Sequence, residues 1–424
     1  MREVFRLRRR RDFCSRSLTF LRSFCHMLRK FIFWSHLAVG VVVGLIVLVL
    51  CLTGVLLSFE RPSLEWMEGS RLNAPPAGNG DPLPADELAA RVAPAAHASL
   101  SSLRFRNNPN APVRIQLSGV NFICANAYTG QVIGPSAPGL RAFYKTVRNL
   151  HTALTLQNGA ATTGTSIVDA CNLGFVFLTL SGLVLWWPAN WRWRALRNSV
   201  TVRLDVRGKT RDWNWHNALG FWGFIPLFIM AGSGIVLSYK TADDSVRSFA
   251  REHIFTHSKA PLTYPAPAAA TPAARKQPDW RKILAAAEQA VPGWRSMTVP
   301  WNGNKQSLVN IQITPGQDGE AMRSITLTID KASATVVKIQ KWENNDAGLR
   351  ARLIMRLSHS GELGGLPGQT VAALGCLAGI VLVYTGFALS WWRFFSRRRR
   401  GKAAPPLLGP EQRLATQAAS VRVS

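Results

Sequence analysis

Four of the eight histidines in this sequence stand at the ends of long apolar runs, in a pattern that repeats. His36 opens HLAVGVVVGLIVLVLCLTGVLLSF, and His216 opens HNALGFWGFIPLFIMAGSGIVLSY. A glycine follows each at the same interval, Gly54 and Gly234, so the two histidines hold equivalent positions. His151, in FYKTVRNLHTALTL, and His359, in LRARLIMRLSHSGELGGLPG, precede the other two apolar runs. Imidazole is a common ligand for transition metals and for haem iron. Paired imidazoles near each end of a helix bundle, with no CxxCH for covalent attachment, suit non-covalently held b-type haem. A helix-end histidine lying at a membrane interface with no ligand is the plainer alternative at each position. Gly40, Gly44, Gly220 and Gly223 lie one to two turns from His36 and His216. They would let a flat ring approach the backbone, or serve ordinary small-residue packing.

Other groups carry weaker chemistry. His253 and His257 stand four apart in REHIFTHSK beside Glu252, as a metal-binding pair or a solvated one. His97 has no evident partner. Asp169 is the one acid well inside an apolar run, placed to meet a haem propionate or His151, or to sit at headgroup level. Arg29, Lys30, Arg211, Arg148 and Arg356 flank the histidines and would neutralise propionates, although membrane topology also accounts for those on the cytoplasmic side. The cysteines Cys14, Cys25, Cys51, Cys124, Cys171 and Cys376 are scattered, with no CxxC. That leaves a Cys-rich zinc site unsupported, and with Cys124 alone in an exported segment the exported loops are not disulfide scaffolds.

The elements that position these residues are membrane helices. The runs 36–59, 165–187, 216–239 and 370–392 each reach the length of about 20 residues that a bilayer requires. The first is preceded by a long basic segment and followed by ERP, without a small-residue cleavage site, so it reads as a retained helix. A net charge of +28 would suit a nucleic-acid partner, but its placement points elsewhere. Residues 1–35 hold ten Arg or Lys and two acids, loop 188–215 seven and two, and tail 393–424, with Arg397 to Arg400, eight and one. With alternating helices these three segments share one side. The positive-inside rule then makes both termini cytoplasmic. Trp186, Trp187, Trp191, Trp193, Trp213, Trp215, Trp391 and Trp392 cluster there as an aromatic belt.

Segments 60–164 and 240–369 are then exported. Each begins with a Pro/Ala-rich stretch, Asn73 to Pro84 and Tyr264 to Pro278. A short helical pattern follows, Ala85 to Ala96 and Asp279 to Gly293, and then alternating strand text such as APVRIQLSG and SITLTIDKASATVVKIQK. Helix 216–239 copies helix 36–59 without a gap, pairing Thr53 with Ser233. The fourth helix copies the second more loosely, pairing Ser181-Gly182 with Thr385-Gly386. The predicted fold is an all-alpha polytopic membrane protein. Its four-helix bundle comes from two tandem parallel repeats, related by a pseudo-two-fold axis along the membrane normal, with two small alpha+beta periplasmic modules.

Over about residues 30–395 the sequence resembles the PepSY-associated transmembrane family, also called iron-regulated or iron-uptake membrane proteins. WSHLAVGVVVGLIVLVLCLTGVLLSFE and WNWHNALGFWGFIPLFIMAGSGIVLSY look like its first and third helices. SGLVLWWP and HSGELGGLPGQ look like its second and fourth helix signatures, and NAYTGQVIG looks like the end of a PepSY module. The resemblance implies PepSY-like periplasmic modules. The family includes inner-membrane ferric-siderophore reductases that carry electrons outward through two b-type haems. Carried over, the implied axial ligands are His36 with His216 and His151 with His359, the latter pair at the electron exit.

The leading expectation is therefore haem-dependent reduction of a ferric siderophore or other ferric chelate, for iron release and uptake. The electrons would come from a cytoplasmic reductant or a membrane quinol, since loop 188–215 has no flavin or nicotinamide fingerprint. Arg148, Arg352 and Arg356 would attract an anionic chelate or lie beside lipid headgroups. The alternative is a non-enzymatic regulator or assembly factor whose periplasmic modules bind a protein partner. A transporter is disfavoured, because the helices lack broken, charge-bearing segments at mid-depth.

Overall fold

The computed structural model describes residues 2–71, 81–96, 98–118, 122–156, 160–188, 192–255, 260–264, 278–301, 307–315 and 321–395. His97, His257, Trp191, Arg397 to Arg400 and most of the two Pro/Ala-rich stretches fall outside the described residues. In chain order the helices are α1 (Arg2–Ser58), α2 (Glu60–Arg71), α3 (Ala85–Ala96), α4 (Pro138–Ala153), α5 (Ala160–Trp186) and α6 (Trp193–Val200). They continue with α7 (Gly208–Ser238), α8 (Lys240–Phe249), α9 (Trp280–Ala290), α10 (Ala347–His359) and α11 (Gly365–Phe394).

Four spans are long and apolar enough to cross a membrane: His26–Glu68, Ala160–Trp186, Gly208–Ser238 and Glu362–Phe394. They belong to α1 with α2, α5, α7 and α11. Helix α1 packs on α5 and α11, and α7 packs on the same two, so α1 and α7 face each other across the bundle. The faces divide by polarity. Val42 is 79% exposed on the outer surface, with Leu45, Ile225 and Leu374 also outward, while the hydroxyls of Thr53, Ser181, Ser233 and Thr385 are buried within. Lipid solvates such an outer face, and an interior that holds polar side chains is what small-residue helix packing in a bilayer permits. At mid-depth the interior is apolar, with Val43, Val47, Cys51 and Cys376 at its centre.

The strands are β1 (Leu100–Arg106), β2 (Val113–Leu117), β3 (Phe122–Ala125), β4 (Val132–Pro135), β5 (Leu262–Thr263), β6 (Ser296–Pro300), β7 (Leu308–Thr314), β8 (Ile325–Asp330) and β9 (Val336–Gln340). They form one antiparallel sheet in the order β4-β3-β2-β1-β6-β7-β8-β9-β5. Two separate modules were expected from the sequence. Instead β1 pairs with β6, from Ser102↔Pro300 to Arg106↔Ser296, and joins the strands of both long loops. Pairing covers two edges that would otherwise present open backbone donors and acceptors. One face of the sheet carries Leu103, Ile115, Val299, Ile311 and Ile329 against α3 and α9, in a single apolar core. Helix α9 begins where Asp279 accepts from the Lys282 amide, an N-cap visible in the sequence.

The opposite face of β1 and β2 is basic. Arg104 and Arg106 point the same way on β1, and Arg114 lies opposite Arg104. They meet Glu68, because the chain stays helical past Phe59 and α2 carries this carboxylate under the sheet. Glu68 pairs with Arg106 at 3.3 Å, Arg114 at 3.3 Å and Arg141 at 2.6 Å, and accepts from Ser136. This cluster ties the first membrane helix to the sheet. Nearby, burial and the Glu68 carboxylate push the Cys124 thiol up to about 11, so it stays protonated at neutral pH.

Candidate functional site: two facing imidazole pairs

The four helix-end histidines come together in two pairs inside the bundle. His36 on α1 and His216 on α7 face each other with ring centroids 6.4 Å apart and planes at 89°. His151 at the end of α4 and His359 at the end of α10 do the same at 6.3 Å and 70°. The second pair lies toward the sheet, level with Thr53. From His36 to Thr53 along α1 is about 25 Å at roughly 1.5 Å per residue.

Local packing fixes each ring. At the far end from the sheet, Gly182 and Gly386 back onto the imidazoles: a Cβ there would sit 3.5 Å from His36 Cε1 and 3.6 Å from His216 Cε1. At the sheet end two glycines admit the helices that carry the histidines. A Cβ on Gly164 would lie 2.1 Å from the Ala153 carbonyl oxygen, and one on Gly368 would lie 2.3 Å from that of Gly361. Only glycine allows the ends of α4 and α10 to fold back so closely onto α5 and α11.

Each imidazole Nδ1 meets a hydroxyl on a membrane helix. His36 meets Ser181 Oγ at 2.8 Å, His216 Thr385 Oγ1 at 2.9 Å, His151 Thr53 Oγ1 at 2.7 Å and His359 Ser233 Oγ at 3.2 Å. The His359 Nδ1 also meets the Met230 carbonyl at 2.8 Å. The sequence reading paired these hydroxyls as repeat positions and missed this role. The signal was present: each hydroxyl immediately precedes a glycine, as Thr53-Gly54, Ser181-Gly182, Ser233-Gly234 and Thr385-Gly386.

The spacing has a chemical meaning. A metal–nitrogen bond of about 2 Å, with the ring centre about 1.1 Å behind the nitrogen, taken on both sides, separates two axial imidazoles by about 6.2 Å. The pairs, at 6.4 Å and 6.3 Å, stand close to that distance. Among the described residues no group of three or more His, Cys, Asp or Glu is gathered for a metal. Each pair offers two imidazole rings as donors. Around His36 and His216 opens a cavity of about 1220 Å³, larger than the roughly 300–1,000 Å³ of most small-molecule sites. Gly40 and Gly220 line it, and Arg29, Lys30, Lys209 and Arg393 lend it cations. A flat macrocycle with carboxylate substituents fits these residues.

A family model described as the PepSY-associated TM region matches residues 33–393, nearly the whole set of elements that build the two pairs. The chain belongs to this family. No curated protein matches it.

For this PepSY-associated protein the remaining sequence candidates fall outside the pairs. Gly223 serves packing, against Ala378, while Gly44, packed against Phe387, also lines the cavity around His36 and His216. His253 is exposed, stacked on Phe249 with centroids 4.7 Å apart, and its nearest acid is Glu252 at 4.0 Å. Asp169 lies near Tyr239, and no hydrogen bond joins it to His151 among the described residues. Most flanking arginines are engaged: Arg211 with Asp212 at 2.8 Å, Arg148 with Glu60, Arg352 with Asp243, and Arg29 with the Leu185 carbonyl at 2.8 Å. Arg356 is exposed near the second pair.

Proposed function

We propose that this membrane protein carries electrons across a bacterial inner membrane through two b-type haems, to a ferric siderophore or similar ferric chelate on the sheet side. The observation that carries the reading is the 6.4 Å and 6.3 Å separation of two facing imidazole pairs at two depths of one bundle. His36 and His216 would hold the inner haem, and His151 and His359 the outer. When bound, each haem supplies a one-electron ferric/ferrous couple.

The chain's own residues do the rest. The two imidazole pairs would hold one group near each end of the bundle. Val43, Val47 and Leu227 keep the interior between the pairs apolar. Both termini and loop 188–215 lie in the cytoplasm on this reading, where basic segments and a quinol or soluble donor meet the inner cavity. The sheet lies in the periplasm as two fused PepSY-like halves. Tandem repetition of one helix–module–helix unit accounts for the way α7 and α11 reproduce the contacts of α1 and α5, including the hydroxyl partner of each histidine. The acceptor would approach beside His151 and His359. Reduction weakens a hard-ligand chelate's hold on iron, since Fe²⁺ is softer and less charged than Fe³⁺.

The test is spectroscopic. Purified protein should show a Soret band and about two haems per chain by pyridine haemochrome. His36→Ala and His216→Ala should each remove one and the same haem, and His151→Ala and His359→Ala the other. Reduced protein mixed anaerobically with ferric chelates should reoxidise as Fe²⁺ appears. A chain with no stoichiometric Soret band would overturn the proposal and favour a regulator whose sheet binds a protein partner. Reoxidation without Fe²⁺ across several chelate classes would remove the ferric substrate.

A further inference from the structure

The hydrogen bonds around the four histidines can be followed proton by proton. A serine or threonine hydroxyl has one hydrogen to donate and two lone pairs to accept with. All four hydroxyls lie against the carbonyl one turn back in their own helix: Thr53 to Val49 at 2.7 Å, Ser181 to Phe177 at 2.6 Å, Ser233 to Ile229 at 2.6 Å and Thr385 to Val381 at 2.7 Å. A carbonyl oxygen only accepts. Two oxygens 2.6–2.7 Å apart need the hydroxyl hydrogen between them, or their lone pairs face each other. The hydroxyl proton is therefore spent on the helix backbone. Its oxygen has only lone pairs left for the imidazole, so it accepts from Nδ1–H.

The geometry points to these hydroxyls as positioning residues: Thr53, Ser181, Ser233 and Thr385 hold all four imidazoles in the Nδ1–H tautomer, with Nε2 left bare. A neutral imidazole with one nitrogen protonated has only the other to offer a metal. A donor bond from that N–H also raises the ligand's basicity and fixes its ring. Helix formation thus presets the protonation pattern of each pair before any metal arrives. In water, a serine or threonine that bonds its own backbone is mildly unfavourable in a helix interior. Here the bond is what makes the hydroxyl an obligate acceptor.

The four positions are not equally exposed to loss. His359 has a second acceptor, the Met230 carbonyl at 2.8 Å, which keeps the same tautomer if Ser233 is removed. The Nδ1 partner of His36 among the described residues is Ser181 alone. Removing that hydroxyl frees the ring to exchange tautomers and to rotate.

The inference rests on the histidines being ligands, but its first readout does not. Full-length protein labelled with ¹⁵N-histidine, in lipid nanodiscs and before haem addition, should show four imidazoles protonated at Nδ1 and bare at Nε2. Ser181→Ala should move one of the four to a mixture of tautomers. It should also weaken haem binding at the His36–His216 pair by about 10- to 100-fold, and Ser181→Thr should restore both. Ser233→Ala should stay within about twofold of wild type, because the Met230 carbonyl remains. Protonation of wild-type His36 at Nε2 overturns the inference, and this needs no variant to fold. So does a Ser181→Ala spectrum identical to wild type, or a loss in Ser233→Ala as large as in Ser181→Ala. If wild-type chain shows the expected tautomers and takes up no haem, the ligand reading fails and the hydroxyl assignment stands.

Discussion

Replacing Gly164 by alanine tests how tightly the second histidine pair is built. The new Cβ would lie 2.1 Å from the Ala153 carbonyl oxygen and 2.8 Å from its carbonyl carbon. A carbon–oxygen contact relaxes only at about 3.3 Å, so the two backbones must part by about 1 Å. Both atoms in the clash belong to main chain, and no side-chain rotamer relieves it. Ala153 ends α4 two residues after His151, so the displacement passes to that ring. A metal–ligand distance tolerates only about 0.2 Å, and the pair at 6.3 Å should open beyond joint ligation. Overpacking of this kind costs about 1–3 kcal/mol. The assay is haem per chain by pyridine haemochrome, with thermal unfolding in the same detergent. Expected values are a fall from about two haems to about one, with the His36–His216 centre retained. Gly139→Ala is the control, since a Cβ there meets nothing within 4 Å and it lies on α4 with His151 and Ala153. A Gly164→Ala protein that keeps both haems and unfolds with wild type would refute the reasoning.

Glu68→Gln removes the carboxylate facing Arg106, Arg114 and Arg141. Breaking a buried pair costs about 3–5 kcal/mol, and because these arginines keep 20–22% side-chain exposure the loss should be about 2–4 kcal/mol, read as a lower unfolding temperature of the sheet; an unchanged temperature would show the cluster to be water-compensated. With its pKa pushed up to about 11, Cys124 holds on the order of 0.1% thiolate at pH 8, so alkylation should be slow in the folded protein and fast after denaturation; equal rates would mean an open site. Reporter fusions at Gly78 and Ala269 should be active only as exported fusions, and a cytoplasmic signal at either would invert the proposed orientation.

Local pattern carried much of this architecture and stopped at contacts. The helix over Ala85 to Ala96 and the Asp279 cap of α9 follow from side chains within a few residues of one another. The basic face of β1 and β2 is readable as alternation, but its counter-charge is not. Glu68 lies outside the strands, and it arrives under the sheet only because α2 continues the first membrane helix. The fusion of the strands of the two long loops into one sheet was equally hidden. Alternation tells which face of β1 is buried and says nothing of which edge finds β6.

From the sequence alone came four membrane helices, because apolar length is a property of consecutive residues. So did the equivalence of His36 with His216, because an equal interval to Gly54 and Gly234 along like helices puts them at like depth. Tertiary structure decided that these rings face each other 6.4 Å apart, and that His151 and His359 stand at 6.3 Å although their intervals to the following glycines differ. It also decided which hydroxyl each ring meets. The physical reason is that an imidazole's partner is chosen by helix packing across the bundle. His36 and Ser181 lie 145 residues apart in the chain, and no local spacing records a contact made only when α1 and α5 close.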